Sequence, residues 1–314
     1  MNRREFVALA AAAPIAWRTA VASAAPAPRA LVTCDADASL AVVDLGTFRV
    51  VRSIPCLPDP RSVELVGRRA LVCHTAVGAV SVVDADGSVR HVLRDFVEPR
   101  YTAAHPDGVH AFVTDSGRAS VVAVDVVRGV VVGRVPLREW PRHVTLDPAG
   151  RTLWAGLGSS SADVAVVDVT QPARPPHVRT VRPPFGAHDV GFLPGGRRVW
   201  VTSGDDAETA IFDRGGRMRL RLRADLAPQH VTFGAGVAFV TSGASGVLRV
   251  QRLADGHALR STPIDPGSYN VQYGFGRVLT PSLDRGTLTV LDRRGALLAR
   301  VRVSSSCHDA CFVN

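Results

Sequence analysis

From Ala30 onward the chain is a succession of short runs in which apolar and polar positions alternate, broken every few residues by Gly, Asp or Pro. Two-residue alternation in runs rich in Val predicts β-strands joined by tight turns. One run recurs. Leu40 to Asp44 reads L-A-V-V-D, and similar apolar tetrads closed by Asp return at Asp84, Asp125, Asp168, Asp213 and Asp292. Leu248-Arg249-Val250-Gln251 fills the remaining vacancy, giving seven copies spaced 38 to 45 residues apart.

The same unit surrounds each copy. A strand opens at a Pro-Arg-like pair, as in Pro141-Arg142-His143-Val144, and a turn such as Asp147–Gly150 or Pro194–Gly196 follows. A second β-rich strand comes next (Val199-Trp200-Val201-Thr202), then the strand that ends in Asp, then an outer strand. Four short strands per period of about 40 residues is the unit of a propeller blade. The two ends are complementary, since Ala30–Thr33 reads as a second strand and His308–Val313 as a lone first strand. The expectation is an all-β, seven-bladed β-propeller with four antiparallel strands per blade. Its ring is closed by the C-terminal strand pairing with the N-terminal strands, so that no open edge remains.

The tetrads Phe112-Val113-Thr114-Asp115, Trp200-Val201-Thr202-Ser203 and Phe239-Val240-Thr241-Ser242 stand where the YVTN-repeat family has its Y-V-T-N signature. From Ala30 on, the chain resembles that family, whose bacterial members include YncE-like propellers. None of the three tetrads ends in Asn, so the resemblance is to the family's architecture. It implies a channel lined by the first strand of every blade, and other seven-bladed propellers place histidine-rich copper sites or a haem at the mouth of that channel.

Residues 1–24 differ in kind. Arg3 and Arg4 precede an apolar stretch from Phe6 to Trp17 and the small-residue site Ala22-Ser23-Ala24. That is the layout of a secretory signal, and R-R-E-F-V resembles the twin-arginine motif. A cleaved twin-arginine signal peptide is expected over 1–24, with the propeller over 25–314 and a periplasmic or extracellular location. Because twin-arginine substrates commonly cross the membrane folded and loaded, the motif directs attention to a bound metal or prosthetic group.

Formal charge is +9, and loss of residues 1–24, with three Arg and one Glu, leaves +7. No Lys occurs among the 37 strong bases. Many arginines alternate along single strands, as in Met218-Arg219-Leu220-Arg221-Leu222-Arg223. This is the pattern of charges that guard exposed edge strands, so no nucleic-acid partner is expected. The mature chain lacks an apolar run of about 18 residues, so no membrane span is expected either. It reads as a monomer.

Candidate chemistry gathers at the starts of the first strands. One ring of positions holds Arg61, Arg100, Arg142, His188, Gln229, Tyr269 and His308. The next holds Ser62, Tyr101, His143, Asp189, His230, Asn270 and Asp309. Four of the ten histidines fall on these fourteen positions, which marks them as a site. His143, His188, His230 and His308 are candidate imidazole ligands for one transition metal (copper, zinc or iron), with Asp189 and Asp309 as further ligands or orienting groups. Arg61, Arg100 and Arg142, with Tyr101 and Asn270, are candidates to hold a small anionic ligand through bidentate hydrogen bonds.

Three functional readings stay open. The first is a binding or redox propeller with metal and anion at the channel mouth. The second is a metal-dependent enzyme (lyase, lactonase or oxidase) that uses the same residues. The third is an extracellular scaffold whose rim binds a protein or a cell-wall polymer without metal. No G-x-S-x-G, H-E-x-x-H, phosphate-loop or C-x-x-C-H motif occurs. Among five cysteines, Cys34 and Cys307 both fall at the top of the closing blade, where a disulfide between them would hold the ring shut.

Overall fold

The computed structural model describes residues 27–158, 163–171, 177–224 and 226–313. The signal peptide expected over 1–24 lies outside these residues. The described residues form seven four-stranded antiparallel sheets, and their helices are four single 3-10 turns. Six sheets run in chain order from an inner to an outer strand. The seventh combines the two ends: Ala310–Val313 lies inside Arg29–Cys34, which pairs with Ser39–Asp44 and then with Arg49–Pro55.

The recurring Asp is a turn builder. Asp44 Oδ1 accepts the N–H groups of Gly46 and Thr47 at 3.0 and 2.8 Å. Asp125 does the same for Val127 and Arg128 at 3.0 and 2.9 Å, and Asp292 for Arg294 and Ala296, both at 2.8 Å. A carboxylate that satisfies the N–H groups two to four residues on is what pins such a turn. Gln251 lacks that acceptor pattern. Its turn is held instead by an ion pair between Arg252 and Asp255 at 2.7 Å.

Apolar packing runs between blades, and one contact repeats around the ring. Trp154, Trp200 and Phe239, all fully buried on second strands, meet Phe192, Phe233 and Tyr273 on the first strand of the following blade. Their ring centroids are 6.1, 5.6 and 5.5 Å apart. The hydroxyls near the channel mouth repeat too. Thr75, Ser116 and Thr202 each donate, at 2.6 Å, to a main-chain carbonyl where the next blade begins (Pro99, Pro141 and Gln229), and Thr241 donates likewise to Tyr269. Thr202 and Thr241 are the threonines of two Y-V-T-N-like tetrads and bond blade to blade, whereas Thr114, in the third, bonds to the main chain of Tyr101 within its own blade.

At the seam, Val32 pairs with Ala310 and Arg29 with Val313. Beyond the ladder the Thr33 N–H donates to the Asp309 carbonyl at 2.9 Å, and the Asp309 N–H donates to Thr33 Oγ1 at 2.8 Å. Truncation after Cys307 removes all of these partners and bares the edge of Arg29–Cys34. We expect the truncated chain to melt at least 10 °C lower than the full chain or to aggregate, as read by circular dichroism and size exclusion. Melting within 2 °C of the full chain would show that the ring does not depend on this strand.

Candidate functional site

Three successive inner strands begin with a register shift: between Pro60 and Ser62, between Pro99 and Thr102, and between Pro141 and Val144. Each carries one of the arginines Arg61, Arg100 and Arg142. An extra residue at the start of a strand re-aims the side chains around it. Ser62, Tyr101 and His143, at these three irregular starts, line one cavity.

His143 belongs to a group of imidazoles. Ligand nitrogens of His143, His188 and His230, contributed by three consecutive blades, all lie within 4.8 Å of one another. The ring centroids of His143 and His230 are 4.1 Å apart, and His188 stands 5.1 and 5.2 Å from them. His143 and His230 are buried and His188 is half-buried. Burial, with the neighbouring imidazoles and arginines, holds His143 and His230 well below the ordinary imidazole range. Burial and Arg142 lower His188 to about 3. All three rings are therefore neutral near pH 7, the form in which imidazole binds a metal. His143 Nε2 is buried without a hydrogen-bond partner among the described residues. Such an atom is costly unless something completes it.

His308 does not join the trio. Its ring is 6.3 Å from that of Tyr101, and its Nδ1 lies 3.3 Å from the side-chain amide nitrogen of Asn270, which also donates to the His308 carbonyl at 2.7 Å. Tyr101 is within ring-contact range of both places. Its ring centroid is 3.8 Å from that of His143 and 6.2 Å from that of His230.

Asp189 and Asp309 occupy equivalent positions and do equivalent work. Asp189 accepts the Val190 N–H at 2.8 Å and, from the next blade, the Val231 N–H at 2.9 Å. Asp309 accepts the Ala310 N–H at 2.9 Å and the Val63 N–H at 3.1 Å. Each carboxylate thus ties its own strand to the neighbouring blade. Asp189 also faces Nδ1 of His230 at 3.6 Å and Nδ1 of His143 at 4.0 Å, which suits an orienting group behind the imidazoles. Burial pushes both carboxyls up to about 7.

The arginines stand close to the trio, and the charge of Arg142 acts on all three imidazoles. Arg100 and Arg142 lie over the Trp140 ring at 5.5 and 5.9 Å. Arg100 pairs with Glu98 at 2.6 Å, and Arg61 is hydrogen-bonded to the Tyr101 side chain. The Nε atoms of Arg61 and Arg100 are buried with no hydrogen-bond partner among the described residues. Burial and the charges of Arg100 and Arg61 hold Arg142 below its usual range. Trp140 was not singled out by the ring alignment because it precedes the strand, although it stands directly before the Pro-Arg pair.

Below the mouth lies a cavity of about 380 Å³ lined by His143, Asp189, His230, Asn270, Asp309 and Glu64. Glu64 was also missed. It lies two residues inward of Ser62 on the strand Pro60–Val66, so extending the alternation by one step finds it. The cysteine pair at the seam is close, with a hydrogen bond between the Cys34 and Cys307 thiols, and both are free.

No protein-family model matches this chain, and no curated protein does. Solved structures do. The chain is similar to Kuenenia stuttgartiensis hydrazine synthase, with 16% identity over 82% of this chain and 90% of that one and a TM-score of 0.69. It is similar to the dihydro-heme d1 dehydrogenase NirN in complex with DHE, at 12% identity over 91% and 75% and a TM-score of 0.64. A functionally unknown protein from Desulfotomaculum acetoxidans DSM 771 matches at 10% identity over 91% and 99%, with a TM-score of 0.79. At these identities the likeness shows the shared propeller fold.

Burial and the charge of Asp309 push the Glu64 carboxyl up from 4.5 to about 8. Below pH 4.5 Glu64 is protonated in both folded and unfolded chains. As pH rises the unfolded chain ionises first, so the stability associated with Glu64 falls between pH 4.5 and 8. Glu64→Gln is therefore expected to match the wild type at pH 4.5 and to exceed it at pH 8.5 by on the order of 2–4 kcal/mol. Denaturant unfolding of metal-stripped protein at both pH values checks this, and equal stability at pH 8.5 would refute it.

Proposed function

We propose that His143, His188 and His230 bind one transition metal ion, and that the arginine side of the mouth holds a small anionic ligand next to it. The observation that carries this reading is the convergence of three neutral imidazoles from three blades, one of them with a buried Nε2 that has no partner among the described residues. Imidazole donors suit copper, zinc or iron. Three protein ligands leave a position for a water or substrate in a four-coordinate site, the arrangement typical of catalytic metal centres. When bound, the ion would supply a Lewis acid or redox centre.

The residues around it have separate tasks in this reading. Asp189 orients His143 and His230 from behind. Arg61 and Arg142 supply positive charge and hydrogen-bond donors suited to a carboxylate or phosphate, and Trp140 supports Arg100 and Arg142 from one side. The protein would act as an exported YVTN-type propeller, with the leader over 1–24 carrying it out in folded form. Two of the similar structures bear the names of enzymes, hydrazine synthase and dihydro-heme d1 dehydrogenase. Those names favour an enzymatic role over a scaffold role, but fold alone does not assign a reaction.

Elemental analysis of protein purified without chelator or a His tag tests the metal. We expect about one equivalent of copper, zinc or iron per chain, lost in His143→Ala and His230→Ala but kept in His308→Ala, with unchanged circular dichroism. Metal absent from the wild type, or lost equally from His308→Ala, would overturn the three-histidine site. For the anion, Arg61→Ala combined with Arg142→Ala should weaken binding of inorganic phosphate at least ~10-fold in calorimetry, the scale of lost charge-assisted bonds, while metal content stays at the wild-type level.

A further inference from the structure

We propose that Cys34 and Cys307 are a redox-modifiable pair that locks the ring at its seam. Cys34 is the last residue of the strand Arg29–Cys34, and Cys307 lies three residues ahead of the strand Ala310–Val313. Pairing of these two strands closes the ring. The backbones on either side of the cysteines are fixed against each other, because the Thr33 N–H donates to Asp309 at 2.9 Å and the His308 N–H donates to Thr33 at 3.2 Å. Both side chains are buried in one apolar cluster, at 2% and 0% exposure, and a hydrogen bond joins the two thiols.

The surroundings single out this pair among the five cysteines. The bond from Cys307, together with the Ser39 and Ser304 side chains, outweighs burial and draws the Cys34 thiol down to about 7. In the exchange the thiolate is the attacking form. Burial pushes the thiols of Cys56 and Cys73 up to about 12, and that of Cys311 upward as well. Cys34 and Cys307 are also 273 positions apart in the chain. A bond between them would close almost the whole propeller into one covalent loop, and long loops are the ones whose closure most constrains the unfolded chain.

A small-molecule disulfide such as glutathione disulfide is a sufficient oxidant. The Cys34 thiolate attacks one of its sulfurs, forming a mixed disulfide and releasing one glutathione thiolate. The Cys307 thiol gives up its proton and attacks the Cys34 sulfur, so that the Cys34–Cys307 bond forms and the second glutathione leaves. Two protein thiols are oxidised, and one disulfide is reduced to two thiols. Because both thiols are buried once the seam is shut, the exchange takes place before the ring closes or while it is open.

The test is to refold the full chain from denaturant with reduced and oxidised glutathione and a chelator, so that the outcome does not depend on the metal. Free thiols are then alkylated, and the product is mapped by peptide mass spectrometry. We expect one cross-link joining the Cys34 and Cys307 peptides, with Cys56, Cys73 and Cys311 alkylated. Oxidised protein should melt higher than the dithiothreitol-treated form by roughly 5 °C, given the loop length and chain size. That difference should persist in Cys73→Ala and vanish in Cys307→Ala, with Cys34→Ser as the alternative if the latter does not fold. A cross-link to Cys56, glutathione adducts alone, no cross-link, or a cross-linked chain with an unshifted melt would each overturn the proposal.

Discussion

Seven sheets can surround a channel only if the last meets the first, and here that meeting rests on the short ladder from Arg29↔Val313 to Val32↔Ala310. Thr33 and Asp309 extend it by main-chain and side-chain bonds. Asp309 then carries the seam into the next blade by accepting the Val63 N–H. The inner strands line the channel from positions set by these bonds. If the seam opens, the relative placement of the blades is lost, and with it the short distances between side chains on different blades.

The polar lining is therefore structural and chemical at once. Asp189 and Asp309 are buried carboxyls whose oxygens are occupied by main-chain N–H groups of two blades, and burial raises both. The imidazoles beside them are held neutral, in part by the nearby charges of Arg142 and Arg61. Positive charge above neutral donors concentrates anions where donor lone pairs are available.

The fold was legible because its signals are local and repeated. Asp44, Asp125 and Asp292 build their turns from N–H groups a few residues away, so the same chemistry recurs with the same spacing. Complementary strands at the two ends made the closure legible too. The site was legible only as far as a ring of positions. The repeat puts His143, His188, His230 and His308 on equal footing, but what separates His308 from the other three is its contact with Tyr101 and Asn270 in other blades. Register shifts at the three Pro-Arg starts alter side-chain directions as well, and no pattern in a single strand announces them. Asp189 and Asp309 have the side chain of a ligand. Their engagement by Val231 and Val63 appears only when the blades are placed side by side.

The order of the blades along the chain also sets a timetable for biosynthesis. His143, His188 and His230 belong to consecutive blades, so every member of the trio has been synthesised by residue 230. The strand Ala310–Val313, which shuts the ring around them, is made about eighty residues later. During that interval the three imidazoles belong to a chain whose ring still lacks its closing strand. For the proposed metal centre, that interval would be the time in which an ion could reach the imidazoles before the wall is complete.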